Sequence, residues 1–596
     1  MIRCHNSWIF LFFLLTYAVP SQLTAEELPA DEQAYVASTN DRMLSEKLTR
    51  QLRKRYLNNK STQWLFNLLF TSTQAPQENR SIALYLPYEG KKIGLIRLDK
   101  QGAWNVTASQ WKHLANIVLM TTRDGVILNE LNFTSGDRIV PQQLIDSQNR
   151  LNKLPHIKKA QITVQERKGS SDTVDLNIHT RDRFPIRLDI NSNKSTLAIT
   201  HNNLAGWGHL LKSELLYGQG IGYGVTYRTA HIKQLGIVGE LQYRSARKKG
   251  IKRLRVFKDF IDRPRYAGKV EINQTRQTKW RILDGSTQPQ ETSFSFDHQC
   301  VWLGAAIDLG DHSHQGRFFL IGKVARQHFV QRPVTTKSTN RYFHHSVFGA
   351  ASLGFSNKQH YKGRLVYGVG DVEHIPYGSK VNLIGGYQFG EFVNRPYLRL
   401  DLAQGKHIQK LGYLYSAVHV GGFFHKRTVE QGILQLQLDY FTPLLKIGHQ
   451  WIRQFIRINY LEGRNMLTGE LISTNLNKVS KSLKDPFPGG TKRLHLSLET
   501  VLLTPKRFAS CQLAALGFVE AVKLQDAKGE IQQSGFCKAL GIGCRCAHPR
   551  FAFGALQIKL GYAPLNQNMY FSISTIATAV DNLDIGEPDT IPFQAH

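Results

Sequence analysis

Beyond residue 25 the chain has no apolar run near the roughly 18 residues that a membrane-spanning helix needs. Any crossing of a bilayer must therefore use strands closed into a barrel. Cysteine is scarce: of six in all, only Cys300, Cys511, Cys537, Cys544 and Cys546 lie past residue 25. An odd number excludes a fully paired disulfide framework. Cys544 and Cys546 share one face of a strand, but only His548 stands near them as a further ligand, so no metal is expected. No phosphate loop, dinucleotide fingerprint, zinc-protease motif or nucleophile elbow occurs. No catalytic residue and no cofactor is therefore expected. Acidic residues are in deficit, 45 against 76 Lys and Arg, giving a formal charge of +31. The basic residues are scattered, and no zinc spacing or basic heptad helix accompanies them. The expected partners are anionic lipid headgroups, lipopolysaccharide or acidic client chains, and not nucleic acid.

What is present begins with Arg3, the apolar stretch Ile9 to Leu15, then Ala18, Pro20 and Leu23-Thr24-Ala25. That is the order of a secretory signal, so residues 1–25 are expected to be removed on export. Residues 26–90 read as a charged, helical lead-in. Lys47 to Tyr56 is basic, and Trp64 to Phe70 is an apolar cluster suited to packing on the next domain or lying on a membrane surface.

Residues 91–183 read as a small α+β domain. Ile93 to Leu98 suggests a strand. Thr122 to Leu131 has helical spacing, and Gly136 suits a turn with positive φ. Pro141 opens a second helix with apolar Leu144, Ile145 and Leu151. Two strands follow, Ile157 to Val164 and Val174 to Ile178.

From residue 184 to about 580 the texture changes to short alternating segments. Leu398, Leu400 and Leu402 alternate with Arg399 and Asp401. The same pattern holds for Leu434, Leu436, Leu438 and Tyr440, for Leu494, Leu496 and Leu498, and for Leu556, Ile558, Leu560 and Tyr562. Period two with charge on the second face fits apolar-out, polar-in membrane strands. Tyr397, Tyr440-Phe441 and Tyr562 are expected in an aromatic girdle. At about 25 residues per strand and connection, the span accommodates roughly sixteen strands. Residues 581–596 form a polar tail. The expected fold is thus mainly β: a transmembrane antiparallel barrel preceded by one α+β domain.

Two stretches carry a resemblance. The first is Asn129 to Asp137 followed by Leu151-Asn152-Lys153-Leu154-Pro155-His156-Ile157; the second is Asn203-Leu204-Ala205-Gly206-Trp207-Gly208. Together they resemble the outer-membrane assembly-factor superfamily, BamA/TamA-like proteins that join POTRA (polypeptide-transport-associated) modules to a bacterial surface antigen barrel. The resemblance implies residence in the bacterial outer membrane, with residues 91–183 as a periplasmic POTRA-like module. It also implies a role in inserting or translocating unfolded outer-membrane or secreted polypeptides, with accessory periplasmic proteins as further partners. Such a module would add a client strand to a sheet edge, here Ile157, Ala160, Ile162, Val164, Val174, Leu176 and Ile178. The family's sixth extracellular loop would fall near Lys481, Lys484, Phe487 and Gly489, where the Arg-Gly-aromatic motif is missing. A passive pore is the alternative function, and a barrel-wall lipase a remote one.

Overall fold

The computed structural model describes residues 84–102 and 120–576 apart from turns and loops, the longest of them 473–489 and 526–536. The expected signal, most of the lead-in, the tail and the sixth-loop residues Lys481, Lys484, Phe487 and Gly489 lie outside the described residues.

A three-stranded sheet comes first. Its elements are β1 (Lys92–Gln101), α1 (Asp124–Leu128), α2 (Pro141–Lys153), β2 (Ile157–Glu166) and β3 (Thr173–Asp182). Sheet order is β1-β3-β2, with β1 parallel and β2 antiparallel to β3. Helix α2 starts on Pro141, whose missing N–H costs nothing in the first turn. It buries Leu144, Ile145 and Leu151 against Ile93, Ile157, Ile162, Leu176 and Ile178. Each such side chain contributes about 1.5–3 kcal/mol on burial. Gly136 closes the turn before α2 at φ +97°. The first helix covers only Asp124–Leu128, shorter than its periodicity suggests, because its chain leaves the helix to bring Leu131 and Phe133 into the core.

The remaining strands close into an antiparallel barrel. They are β4 (Ile186–Asn191), β5 (Thr196–Leu204), β6 (His209–Leu216), β7 (Gly222–Arg228), β8 (Val238–Ala246), β9 (Lys249–Lys258), β10 (Tyr266–Arg281), β11 (Gln290–Leu309), β12 (Gly316–Gln331), β13 (Ser346–Ser356), β14 (Gln359–Arg364), β15 (Val372–Gly390), β16 (Arg395–Ile408), β17 (Gly412–His425), β18 (Thr428–Phe441), β19 (Leu445–Ile447), β20 (Gln450–Arg464), β21 (Lys492–Phe508), β22 (Cys511–Gln525), β23 (Cys537–Ala547), β24 (Ala555–Ala563) and β25 (Asn568–Ile576). β13 and β14 both pair with β15, and β18 and β19 both pair with β20, so each couple is one interrupted stave. The wall has 20 strands, not about sixteen. The shortfall arises because strand plus connection averages about twenty residues here rather than about 25. Several hairpins close on two residues, as at Arg247-Lys248 and Lys426-Arg427.

The pleat sorts the wall as its alternation requires. Across the outer face runs a row of register partners, Leu402, Val418, Leu436, Tyr460 and Leu494. Across the inner face, Asn382, Asp401, His419 and Gln435 are partners in turn. Asp401 accepts bonds there from Arg399 (2.6 Å) and His419 (2.8 Å). Tyr440 and Tyr562 face outward, but Tyr397 and Phe441 correct the girdle expectation. Tyr397 packs inside with Phe348 and Phe423, and Phe441 inside with Tyr413 and Phe455. The alternating face of their own strands puts both on the inner side.

Candidate functional site: the seam, the joint and the module edge

The barrel closes between its first and last strands, β4 and β25. β24 and β25 pair continuously from Ala555 with Ile576 to Ala563 with Asn568. β4 and β5 pair along the whole of β4. Between β25 and β4, among the described residues, the register holds a single pair, Ser574 with Asn191. One side-chain bond spans the same gap, Thr575 Oγ1 to Asp189 at 3.5 Å. β4 has 6 residues, and the register of Ser574 with Asn191 sets Asn568 to Ile573 beyond its last residue. Met569 and Phe571 on that part are exposed. The strands that follow β4 are also short, with 9, 8 and 7 residues in β5 to β7, whereas β10 to β12 have 16, 20 and 16. A tilted membrane strand needs about 9–11 residues, so the wall beside the seam is low.

The α+β module docks on the barrel next to this seam. The turn between β5 and β6, Asn203 to Gly208, fits against residues 120–123. Asn203 donates to the Met120 carbonyl (3.3 Å) and the Thr122 hydroxyl (3.1 Å), and its own oxygen accepts from the Gly208 amide (2.8 Å). Arg123 donates from its backbone to Gly206 and from Nε to Ala205, and its guanidinium lies 4.0 Å over the Trp207 ring. Ala205, Gly206 and Gly208 all have positive φ. A Cβ on Gly206 would come within 2.6 Å of the Thr121 carbonyl oxygen, so only glycine allows this approach. Behind Thr122 stands Asp182, which accepts both its amide (2.7 Å) and hydroxyl (2.9 Å); burial holds this carboxyl above the usual range. The stretch that resembles a barrel start in sequence is thus the docking turn in space.

His156 is buried in the same joint, beside Gly208, and neither ring nitrogen has a partner. Burial, and then repulsion from His231, pushes its imidazole down to about 4. Glu130, the acid of this corner, is engaged by His231 at 2.7 Å. His156 is therefore neutral at pH 7. Undocking that exposes His156 to water returns its imidazole toward 6.5, so below that value the undocked state binds the extra proton. Docking is at full strength above about pH 6.5 and weakens as pH falls toward 4, by up to about 3 kcal/mol. Limited proteolysis of the full chain is expected to release the module faster at pH 5 than at pH 7.5. His156→Phe should flatten that difference; an unchanged pH profile in the variant would assign it elsewhere.

The residues expected to line a client-binding edge divide. Val174, Leu176 and Ile178 belong to β3, the central strand, paired on both sides, so they are on no edge. The sequence order of strands hid this, because the third strand enters between the other two. Ile157, Ala160, Ile162 and Val164 do belong to an edge strand, β2. Their side chains pack inward, with Ile157, Ala160 and Ile162 buried. Any client would meet backbone instead. Part of that backbone is already occupied. Asn152 on α2 accepts from the Ala160 amide (2.7 Å) and donates to its carbonyl (3.1 Å). Gln148 accepts from the Ile162 amide (2.9 Å), and Tyr85 donates to the Ile162 carbonyl (2.8 Å). A side-chain amide gripping a strand in this way imitates a neighbouring strand and blunts the edge. On the far side, β1 is bridged through Lys92 and Arg138.

The lumen is lined by charge that is paired on the wall itself. Glu240 is held by Arg228 and Arg255, Glu214 by Lys212 and Arg244, and Glu499 by Arg545 and Lys559. At the end far from the module, Glu430 accepts from Arg341 (2.7 Å) and Arg395 (2.8 Å). Gln431 bonds Glu470 of the connection after β20, and Ile472 of that connection packs on Ile433 and Leu461. Glu470 and Ile472 of this connection thus pack against the inner face of β18. Among the described residues, the arginines that meet interior acids come from the wall and from the 332–345 loop.

One row on the module's open sheet face brings acid, imidazole and hydroxyl together: Asp99, His179 and Thr163, at 2.9 and 3.3 Å. The Thr163 hydroxyl also lies within bonding distance of the Asn177 carbonyl, and the row is exposed, as a cross-strand polar ladder would be. Cys544 and Cys546 face outward on β23, while Arg545 between them reaches Glu499 inside.

No protein-family model matches this chain, and no curated protein does. Among solved structures it is similar to BamA from Haemophilus ducreyi lacking POTRA domains 1–3, at 12% identity over 81% of this chain and 84% of that one, TM-score 0.37. It is also similar to CdiB from Acinetobacter baumannii (10% identity, 96% and 97% covered, TM-score 0.33) and CdiB from Escherichia coli (11% identity, 95% of each chain, TM-score 0.37).

Proposed function

We propose that this chain is an outer-membrane barrel that assists insertion or translocation of polypeptides, acting through the seam between β25 and β4, with the α+β module serving as a POTRA-like unit in the periplasm. The observation that carries the reading is the meeting of the first and last strands of a 20-stranded wall, where Ser574 with Asn191 is the one register pair among the described residues. An edge exposed by opening this seam can pair with an incoming strand, because backbone N–H and C=O groups accept any sequence in extended form. The module docks on the low wall beside that edge, at the turn Asn203 to Gly208. Catalysis has no part in this reading. A passive pore fits less well, because Phe294, Phe329 and Phe343 pack with Arg281 and Tyr342 at the mouth far from the module. Depletion of the protein, followed by quantifying outer-membrane and secreted proteins, tests the proposal. A defined set of clients should fall; an unchanged proteome together with lost ion conductance would instead favour the pore.

The capped module edge gives a second expectation. Asn152→Ala with Gln148→Ala releases the Ala160 amide and carbonyl and the Ile162 amide from their side-chain partners. If clients add to β2, a photo-crosslinker at Gln161 should capture several-fold more extended polypeptide in the double variant, despite a stability loss of about 1–3 kcal/mol. Capture unchanged or lowered would mean that β2 does not receive clients.

A further inference from the structure

The outer face of the barrel changes character abruptly on β7 to β10. One row of register partners is apolar and exposed: Leu241, Leu254 and Ile272. The next row toward the β8–β9 hairpin holds Tyr243, Lys252 and Gln274, and the row after it Ser245, Gly250 and Arg276, with Tyr223 opposite Ser245. The Tyr223 and Tyr243 rings lie 5.8 Å apart. Gly250 leaves room for the arginine: a Cβ there would stand 3.8 Å from the Arg276 Cβ. On the inner face of the same strands the arginines have acids, Arg228 and Arg255 on Glu240 and Arg244 on Glu214. On the outer face, among the described residues, no carboxylate lies within ion-pair distance of Lys252 or Arg276. Asp297, opposite Gln274, is bonded by the Gln274 amide at 3.3 Å.

Two cations without acids, one step above an apolar belt, would be costly if lipid chains reached them. They are stable where their stems cross the belt and their heads meet anionic headgroups. We propose that this face holds the phosphate-bearing headgroup of an outer-leaflet glycolipid, the lipid A part of lipopolysaccharide. Lys252 and Arg276 bind its phosphate, and the Tyr223–Tyr243 pair lies against its sugars. The site rests on the reading above, in which the β8–β9 hairpin faces the cell exterior. It would pin a specific lipid to the outer face of β7 to β10, where the apolar belt on β9 is only Leu254 and Val256 between Lys252 and Lys258.

The test uses the full chain purified in detergent, mixed with bis-phosphorylated lipid A or with lipid A stripped of phosphate, and reads retained lipid by native mass spectrometry. Wild type should retain the phosphorylated form preferentially. Lys252→Ala with Arg276→Ala should lower that retention by roughly ten-fold, and Lys252→Arg should preserve it. Heat-modifiable gel migration confirms that each variant has a closed barrel; a Lys252→Gln, Arg276→Gln pair replaces the alanines if they fail it. Equal retention by wild type and the double variant, or no preference for phosphate, overturns the site. Full displacement by millimolar inorganic phosphate, or equal loss with phosphatidylglycerol, would replace it with a general anion site. Surface labelling of an Arg247→Cys variant on intact cells checks the orientation separately. Labelling without lipid A binding sinks the lipid site alone, and absence of labelling sinks the orientation on which it rests.

Discussion

Cysteines placed at Asn191 and Ser574 are expected to stop client assembly when oxidised and to restore it when reduced. These two residues form the one register pair between β4 and β25 among the described residues. Opening the seam breaks backbone bonds that each contribute about 0.5–1.5 kcal/mol net. Pairing with a client strand replaces those bonds, so a client can capture a minor open state. A covalent link removes that state altogether, so the expected loss is near complete rather than partial. The control is a pair across a ladder that is already continuous, Gln557→Cys with Ser574→Cys, whose residues are register partners on β24 and β25. That link should leave assembly unchanged. Both pairs belong in a background with Cys544 and Cys546 replaced by serine, since these cysteines, in no disulfide, sit on the neighbouring strand β23. Full activity of the oxidised Asn191–Ser574 variant would mean that the seam stays shut during function, and the insertion proposal would lose its main support.

The seam is also where reading the sequence alone stops. Alternation between Leu434 and Tyr440, or between Leu556 and Tyr562, is visible because one face must meet lipid and the other a polar lumen. Register at the seam is not visible, because it depends on where β4 ends relative to β25, 383 positions from Asn191 to its register partner Ser574 in the chain's numbering. The number of strands was obscured by turns with weak signatures. Lys426 and Arg427 occupy a two-residue hairpin with φ of 45° and 65°, where Asn-Gly would have announced it. The stave formed by β18 and β19 is interrupted at Thr442-Pro443-Leu444, which reads as the end of a strand. In the module, Gln148 and Asn152 look like ordinary polar positions of an amphipathic helix. Only the fold shows that they face the backbone of β2. Asn203 to Gly208 was legible as a motif, yet its partners at residues 120–123 are remote in sequence and could not be read from it.

Leu436→Arg is expected to block stable membrane insertion, whereas Gln437→Arg is expected to be tolerated. The two positions are adjacent, so they test the face assignment and little else. Leu436 is exposed on the outer side of β18, between Leu434 and Leu438, with Val418 and Tyr460 as its register partners. An arginine near the middle of a barrel's lipid face costs about 2–4 kcal/mol. That is a large share of the typical 5–15 kcal/mol stability of a folded chain. Gln437 faces the lumen, where its amide bonds Asp439, itself paired with Arg457 at 2.6 Å. An arginine there enters a polar, acid-bearing environment and keeps a partner in Asp439. Insertion would be read as the fraction of barrel that resists heat-induced migration on a gel after folding into lipid vesicles. Wild type and Gln437→Arg should be alike, and Leu436→Arg should fall by ten-fold or more, as a cost of at least about 1.4 kcal/mol implies. Comparable losses for both substitutions would mean that the inner and outer faces of β18 are assigned wrongly, and with them the outer row from Leu402 to Leu494.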